Sequence, residues 1–135
     1  MWYVLEDTIP ANTSRANARE ASITVHGGIL HTIYITIPPG SLNLVHAQLR
    51  KGGYYILPRN EDQSMSGEHI NVPYREWLEL PHPENKLTMK VWNEDTENEH
   101  TVRMLIGVLK KDVLEVEEKY LQTLNMFMRL FRRRT

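Results

Sequence analysis

The sequence predicts a mainly β protein, a single antiparallel β-sandwich or jelly-roll-like domain with an N-terminal extended arm and a C-terminal amphipathic α-helix. Two observations predict this class. Short segments of alternating apolar and polar residues follow one another between glycine and proline breaks over most of the chain. After Leu109 the apolar residues recur at steps of three and four, which is the period of one helix face.

The first part of the chain is polar and lacks a helical period. From Glu6 to Glu20 it contains Pro10 and many small side chains, which predicts an extended arm or an irregular lead-in. Such an arm lies along the edge of its own domain or reaches a neighbouring subunit. The predicted organisation is a strand or arm over residues 1–20, a β-sandwich over 21–109 and a helix with a basic end over 110–135.

The strands are predicted from the alternation. Ile29 to Ile37 is the clearest, because β-branched residues dominate it and His31 shares one face with the isoleucines. The other predicted strands are Ser22 to Val25, Leu42 to Arg50, Tyr54 to Leu57, His69 to Val72, Glu76 to Leu80, Lys86 to Trp92 and Thr101 to Leu109. The glycine pairs at 27–28 and 52–53 predict hairpin turns.

The segment from Lys110 to Arg134 contains no glycine or proline and predicts one helix. Its apolar face is wider than a two-stranded coiled-coil seam needs, and Glu117 lies inside it. We predict an oligomer or partner interface on this face, formed by Val113, Val116, Tyr120, Leu121, Leu124, Phe127, Met128 and Phe131. The face either covers the sandwich of its own chain or joins neighbouring copies.

Bulk composition excludes several classes of protein. A chain of 135 residues fits one domain, and 16 basic against 17 acidic residues produce no global field that favours nucleic acid or membrane. The lack of cysteine removes disulfides and thiol chemistry. The N-terminus has no signal-peptide pattern, and no apolar run approaches the ~20 residues that span a bilayer. We therefore expect a soluble protein that is made in the cytosol, or carried elsewhere by assembly, and that does not insert into a membrane.

The titratable residues form no recognisable site. His26, His31 and His46 allow a metal site only if the fold brings them together, and no metal-binding motif contains them. The acids around Asp95, from Glu94 to Glu99, are typical of a solvated hairpin tip. No Gly-x-Ser-x-Gly elbow occurs. We therefore predict no catalytic, metal or cofactor site, and a protein that is not an enzyme.

The end of the helix is strongly basic, with Arg129, Arg132, Arg133 and Arg134. Cations at a helix C-terminus complement the helix dipole, and an acidic protein partner fits them equally well. Four arginines exceed what the dipole requires, so nucleic acid or lipid headgroups stay open as partners of this basic tail.

Several short motifs of turns and strand ends stand out, namely Ile9 to Thr13, Ile33 to Gly40, Gly52-Gly53, Ile56 to Asn60, Val91 to Asp95 and His100 to Val102. These motifs resemble those of small β-sandwich proteins that tailed phages and related viruses use as virion components. The resemblance covers Thr8 to Val108 and leaves the helix outside. It implies a capsid, decoration, tail or fibre role, with copies of the chain and other virion proteins as partners, and no catalytic residues.

Our leading interpretation is therefore a virion structural protein that self-associates through its arm and its helix. The alternative is a β-sandwich module that binds carbohydrate or another ligand, with Trp77, Trp92, Tyr54 and Tyr55 as exposed stacking platforms. A third interpretation, a metal enzyme, depends on the convergence of the three histidines.

Overall fold

The computed structural model describes residues 1–67 and 70–133, with side chains except at 70–72, 111–117 and 133. The strands are β1 (Trp2–Ile9), β2 (Arg19–Ile37), β3 (Val45–Lys51), β4 (Tyr54–Leu57), β5 (Met65–Ser66), β6 (Ile70–Asn93) and β7 (His100–Lys110). A 3-10 turn spans Arg15–Asn17, and helix α1 spans Lys111–Arg133. The predicted fold class, mainly β with a C-terminal helix, is confirmed. His69, which begins a predicted strand, lies outside the described residues.

All strands join one antiparallel sheet, in the order β1-β7-β2-β6-β3-β4, with β5 paired to β3. The two long strands, β2 and β6, run through both halves of this sheet. The beginning of β2, Arg19 to His26, pairs with residues 84–91 of β6, and the rest pairs with residues 70–80. One half therefore contains β1 and β7, and the other contains β3 and β4. Their apolar faces share one core, as in a sandwich.

The passage between the halves occurs at Gly27-Gly28, opposite the segment Pro81 to Pro83 of β6. A Cβ atom at Gly28 would lie 1.8 Å from the carbonyl oxygen of Leu109, and one at Gly27 would lie 2.5 Å from that of His82. Gly28 also has a φ of 150°. The predicted hairpin turn at 27–28 is wrong, because both glycines lie inside β2. They allow three backbones to approach closely where the strands bend.

The core confirms most of the predicted alternation. Ile33, Ile35 and Ile37 are buried. The alternate apolar residues of β7 and of the end of β6 are buried with them, namely Val102, Met104, Ile106 and Val108, and Leu87, Met89 and Val91. A register shift between Leu30 and Thr32 interrupts the alternation earlier in β2. This bulge puts Leu30 in the core and leaves His31 half-buried beside Trp2. The prediction that His31 shares the isoleucine face is therefore wrong.

Strand β1 lies along the edge of its own domain. All eight of its residues pair with β7, from Trp2 opposite Gly107 to Ile9 opposite His100. Leu5 and Ile9 are buried, whereas Trp2 and Val4 are exposed. The first residues of the lead-in are thus part of the sheet. The second predicted glycine turn, at 52–53, is confirmed as the connection between β3 and β4.

Candidate functional site

The most extensive exposed apolar surface described is on helix α1. Every described side chain of the helix, from residue 118 to residue 132, is exposed. The exposed fractions reach 66% at Tyr120 and 72% at Phe131. The remaining exposed members of the predicted interface are Leu121, Leu124, Phe127 and Met128. Nothing in its own domain covers this face along the described part of the helix.

These six side chains form one continuous surface, here called the α1 stripe. Leu121, Leu124, Met128 and Phe131 follow the three-and-four spacing of a heptad seam, and Tyr120 and Phe127 widen one side of it. Met126 and Leu130 are also exposed but lie on other faces. Val113 and Val116 belong to the helix, and their side chains lie outside the described residues.

The basic tail begins beside the α1 stripe. Arg129 and Arg132 are exposed in the last turns of the helix, and a shallow surface groove joins them to Asn125 and Met128. Arg133 ends the helix, and its side chain, like the whole of Arg134, lies outside the described residues. Positive charge here complements the negative end of the helix dipole.

At the tip of the β6–β7 connection, polar side chains form a buried cluster, here called the Asn93–Asp95 hub. The Asp95 carboxylate accepts hydrogen bonds from the backbone N–H groups of Glu97 (2.9 Å) and Asn98 (3.2 Å), and its Oδ2 lies 2.8 Å from His100 Nε2. These hydrogen bonds, chiefly the one from the Glu97 N–H and then the one with His100, lower the pKa of Asp95 to about 2. The prediction of a wholly solvated tip is wrong at Asp95, although Glu94, Glu97 and Glu99 are exposed.

The hub fastens the lead-in to the sheet. The Asn93 side-chain amide donates to the carbonyl oxygens of Ile9 (3.3 Å) and Asn98 (2.9 Å). The backbones of Thr13 and Asn93 exchange two hydrogen bonds, and the N–H of Asn12 donates to the Asp95 carbonyl. The segment after β1 is therefore held in place, and what the hub provides is rigidity rather than an open site.

The three histidines have separate surroundings. His26 lines a cleft at the bend with His82 and Lys110, and His31 contacts Trp2. His46 stacks on Trp92, with ring centroids 5.1 Å apart. Among the described residues, no group of three or more metal-ligating side chains is placed to hold an ion.

His46 links two polar partners. Its Nδ1 lies 2.8 Å from Ser64 Oγ, and its Nε2 lies 3.3 Å from Glu94 Oε2. Serine, imidazole and carboxylate are the groups of a hydrolytic triad, but that chemistry also needs oxyanion donors and a substrate cleft beside the hydroxyl. The His46 ring instead stacks on the buried Trp92. Its contact with Ser64 holds the loop after β4 against the sheet.

The aromatic platform predicted for a ligand is not assembled as expected. Trp92 is only 3% exposed, because His46 and the guanidinium of Arg15 lie against it. Trp77 and Tyr54 are exposed, but they belong to different halves of the sheet, and Tyr55 is half-buried. The prediction of an exposed Trp92 is therefore wrong.

A different aromatic group lies on the outer face of the β1–β7–β2 half. The Trp2 ring is 5.6 Å from the His31 ring and 5.9 Å from the Tyr34 ring. Gly107 makes this contact feasible, because a Cβ atom there would lie 2.7 Å from both Trp2 and His31. Exposure alternates along β1, but Trp2, Tyr3, Val4 and Leu5 are all apolar, so the sequence shows no alternating pattern for this edge strand.

No protein-family model matches the chain, and neither does any curated protein. Among solved structures, a chain of the cyanophage Pam1 capsid asymmetric unit matches with 12% identity and a TM-score of 0.51, over 78% of this chain and 81% of that chain. The CBM36-1 domain of a xylanase from the hindgut metagenome of Trinervitermes trinervoides matches with 9% identity and a TM-score of 0.42, over 76% and 77%. The likeness to the capsid chain indicates a common fold.

Along the part of the chain that the structure describes, no helix combines the length and apolar character needed to cross a membrane.

Proposed function

We propose that the chain is a non-enzymatic structural subunit of a virion, a capsid, decoration, tail or fibre component that self-associates through the α1 stripe. One observation carries the proposal: the stripe is exposed along the described helix, with Phe131 72% exposed. Large contiguous apolar surfaces of this kind are typical of protein interfaces. Burial of such a side chain contributes roughly 1.5–3 kcal/mol before entropic costs, so a second copy is the simplest cover.

The likeness of the fold to a capsid chain supports a place in a virion. A chain of the cyanophage Pam1 capsid asymmetric unit shares the fold over most of both chains. Virion subunits work as many symmetric copies, which requires surfaces that match another copy of the same chain. The other connector is the arm: β1 lies at one end of the sheet order, where its free edge offers hydrogen-bonding groups to a neighbouring virion protein.

The test is the solution mass of the full chain by light scattering. We compare the wild type with Leu124→Glu, in the middle of the stripe, and with Met126→Glu as the matched control. Met126 is 65% exposed on the opposite face of the same helix, so the control adds the same charge outside the stripe. We expect an oligomer that Leu124→Glu dissociates and Met126→Glu leaves intact. A monomeric wild type at every concentration would contradict the proposal.

A second candidate function, ligand binding, rests on the Trp2, His31 and Tyr34 group. The exposed Trp2 ring, with the half-buried Tyr34 ring beside it, offers a stacking surface for a sugar ring, and Arg103 lines the adjacent surface groove. Tryptophan fluorescence titrated with soluble oligosaccharides tests it. Saturable quenching that is lost in Trp2→Ala supports this function, and its absence across a panel of oligosaccharides counts against it.

A further inference from the structure

The two ends of α1 carry opposite charges. Residues 111–118 contain four acids and one lysine, whereas residues 129–133 contain three arginines and no acid. Two such helices side by side in the same direction would place like charges together at both ends. In opposite directions, the acidic end of each would meet the basic end of the other.

From this division we infer that the α1 stripe pairs two copies of the chain as antiparallel helices around a two-fold axis near Asn125. The inference rests on the proposed self-association and specifies its geometry. Glu118, Asn125 and Arg132 are exposed, and they recur every seven residues along one flank of the stripe. In an antiparallel pair centred at Asn125, Glu118 of each copy lies beside Arg132 of the other.

The apolar side chains fit the same register. With the centre near residue 125, Leu124 faces Met128 of the second copy, and Leu121 faces Phe131. The four heptad positions of the described stripe are therefore all covered by apolar partners. The arrangement is isologous, so each contact occurs twice and the assembly closes as a dimer.

The connection of the helix to its domain also favours an antiparallel pair. Helix α1 begins at Lys111, directly after β7 ends at Lys110, so no linker separates the helix from the sandwich. Packed helices lie about 8–10 Å apart, whereas a two-layer sandwich is wider than that. Parallel helices would thus bring two sandwiches into the same space, and antiparallel helices place them at opposite ends of the pair.

Cross-linking tests the direction, since the natural chain has no cysteine that would interfere. We mix Glu118→Cys protein with Arg132→Cys protein of a different tagged mass and add a short bismaleimide. A linker is used because a direct disulfide needs a shorter Cα separation than flanking positions provide. In the mixed dimer one cysteine lies beside the other, while the second Glu118–Arg132 contact stays intact.

The antiparallel pair predicts a mixed-mass product from the mixture and almost none from either variant alone. In a parallel pair the two positions are about 21 Å apart along the axis, beyond the linker. Light scattering of the same samples distinguishes a wrong helix direction from a lack of self-association. Oligomers without the mixed product overturn the antiparallel geometry, whereas monomers overturn the proposed self-association itself.

A charge exchange provides the second test. Glu118→Arg sets two arginines against each other at both contacts, so we expect the dimer dissociation constant to rise several-fold. The double variant Glu118→Arg with Arg132→Glu restores opposite charges and returns the constant to within about twofold of the wild type. If the double variant dissociates as readily as the single one, the Glu118–Arg132 contact is wrong.

Discussion

Asp95 Oδ2 and His100 Nε2 lie 2.8 Å apart, and both side chains are largely buried, with 11% and 9% of their surfaces exposed. The two residues bridge the ends of β6 and β7. The other carboxylate oxygen of Asp95 accepts two backbone N–H groups of the connecting loop. One acidic side chain thus organises the whole tip and, through the adjacent Asn93, the segment that follows β1.

Asp95→Asn removes the charge and leaves an N–H group where an acceptor is needed. We expect the melting temperature to fall by at least about 5 °C, because buried donors then lack a strong acceptor. Glu99→Gln, an exposed change in the same loop, is the control and leaves the melting temperature nearly unchanged. Equal melting temperatures for the two variants would show that the hub does not stabilise the fold.

The pH dependence of stability follows from the same carboxylate. The pKa of Asp95 falls from its usual 3.8 to about 2 in the folded protein, so the folded state favours the ionised form. The stability that the ionised Asp95 gives the folded state is fully present above the pKa of the unfolded chain, and it is lost as the pH falls from about 4 through 2. Urea unfolding of the wild type and of Asp95→Asn should give a stability difference that narrows across this window. A difference that is constant down to pH 2 contradicts the assignment.

Gly28→Ala tests the bend between the halves of the sheet. The added Cβ would lie 1.8 Å from a backbone oxygen of Leu109, which cannot move aside as a side chain can. We expect a loss of more than about 3 kcal/mol in the free energy of unfolding, or insoluble protein. Gly53→Ala is the matched control, since nothing lies within 4 Å of its Cβ position. A soluble Gly28→Ala protein of wild-type stability is the contrary outcome.

The non-enzymatic assignment is tested at Ser64. If its contact with His46 is only structural, a fluorophosphonate probe leaves the protein unlabelled, and Ser64→Ala changes no hydrolytic activity. Stoichiometric labelling that disappears in both Ser64→Ala and His46→Ala would instead identify an activated serine.

Local patterns predicted much of this fold. The alternation at Ile33, Ile35 and Ile37 and the helical period after Leu109 report which face of an element is apolar, and both are present in the structure. The bulge at His31 was not predictable, because it depends on the register of β2 against two neighbouring strands. Glycines that allow a bend, such as Gly27-Gly28, look the same in sequence as those that form a turn.

The buried polar residues were equally hidden. In the sequence, Asp95 looks like the other acids around it. Only the folded loop brings His100 and the backbone N–H groups to its carboxylate. Trp92 ends an alternating strand, and only the fold brings Arg15 and His46 against it. The α1 stripe was identified from the sequence because a helical period is a local property. The assignment of that stripe to an interface stays a prediction.

Hydrogen–deuterium exchange of the α1 amides, measured on the full chain over a concentration series, tests the central claim most directly. A helix with an exposed apolar face and no covering partner is marginally stable and opens readily. If another copy covers the stripe, amide protection from Tyr120 to Phe131 should grow with protein concentration, while the protection of β2 and β7 stays constant. Rapid exchange of the helix at every concentration would contradict self-association through α1.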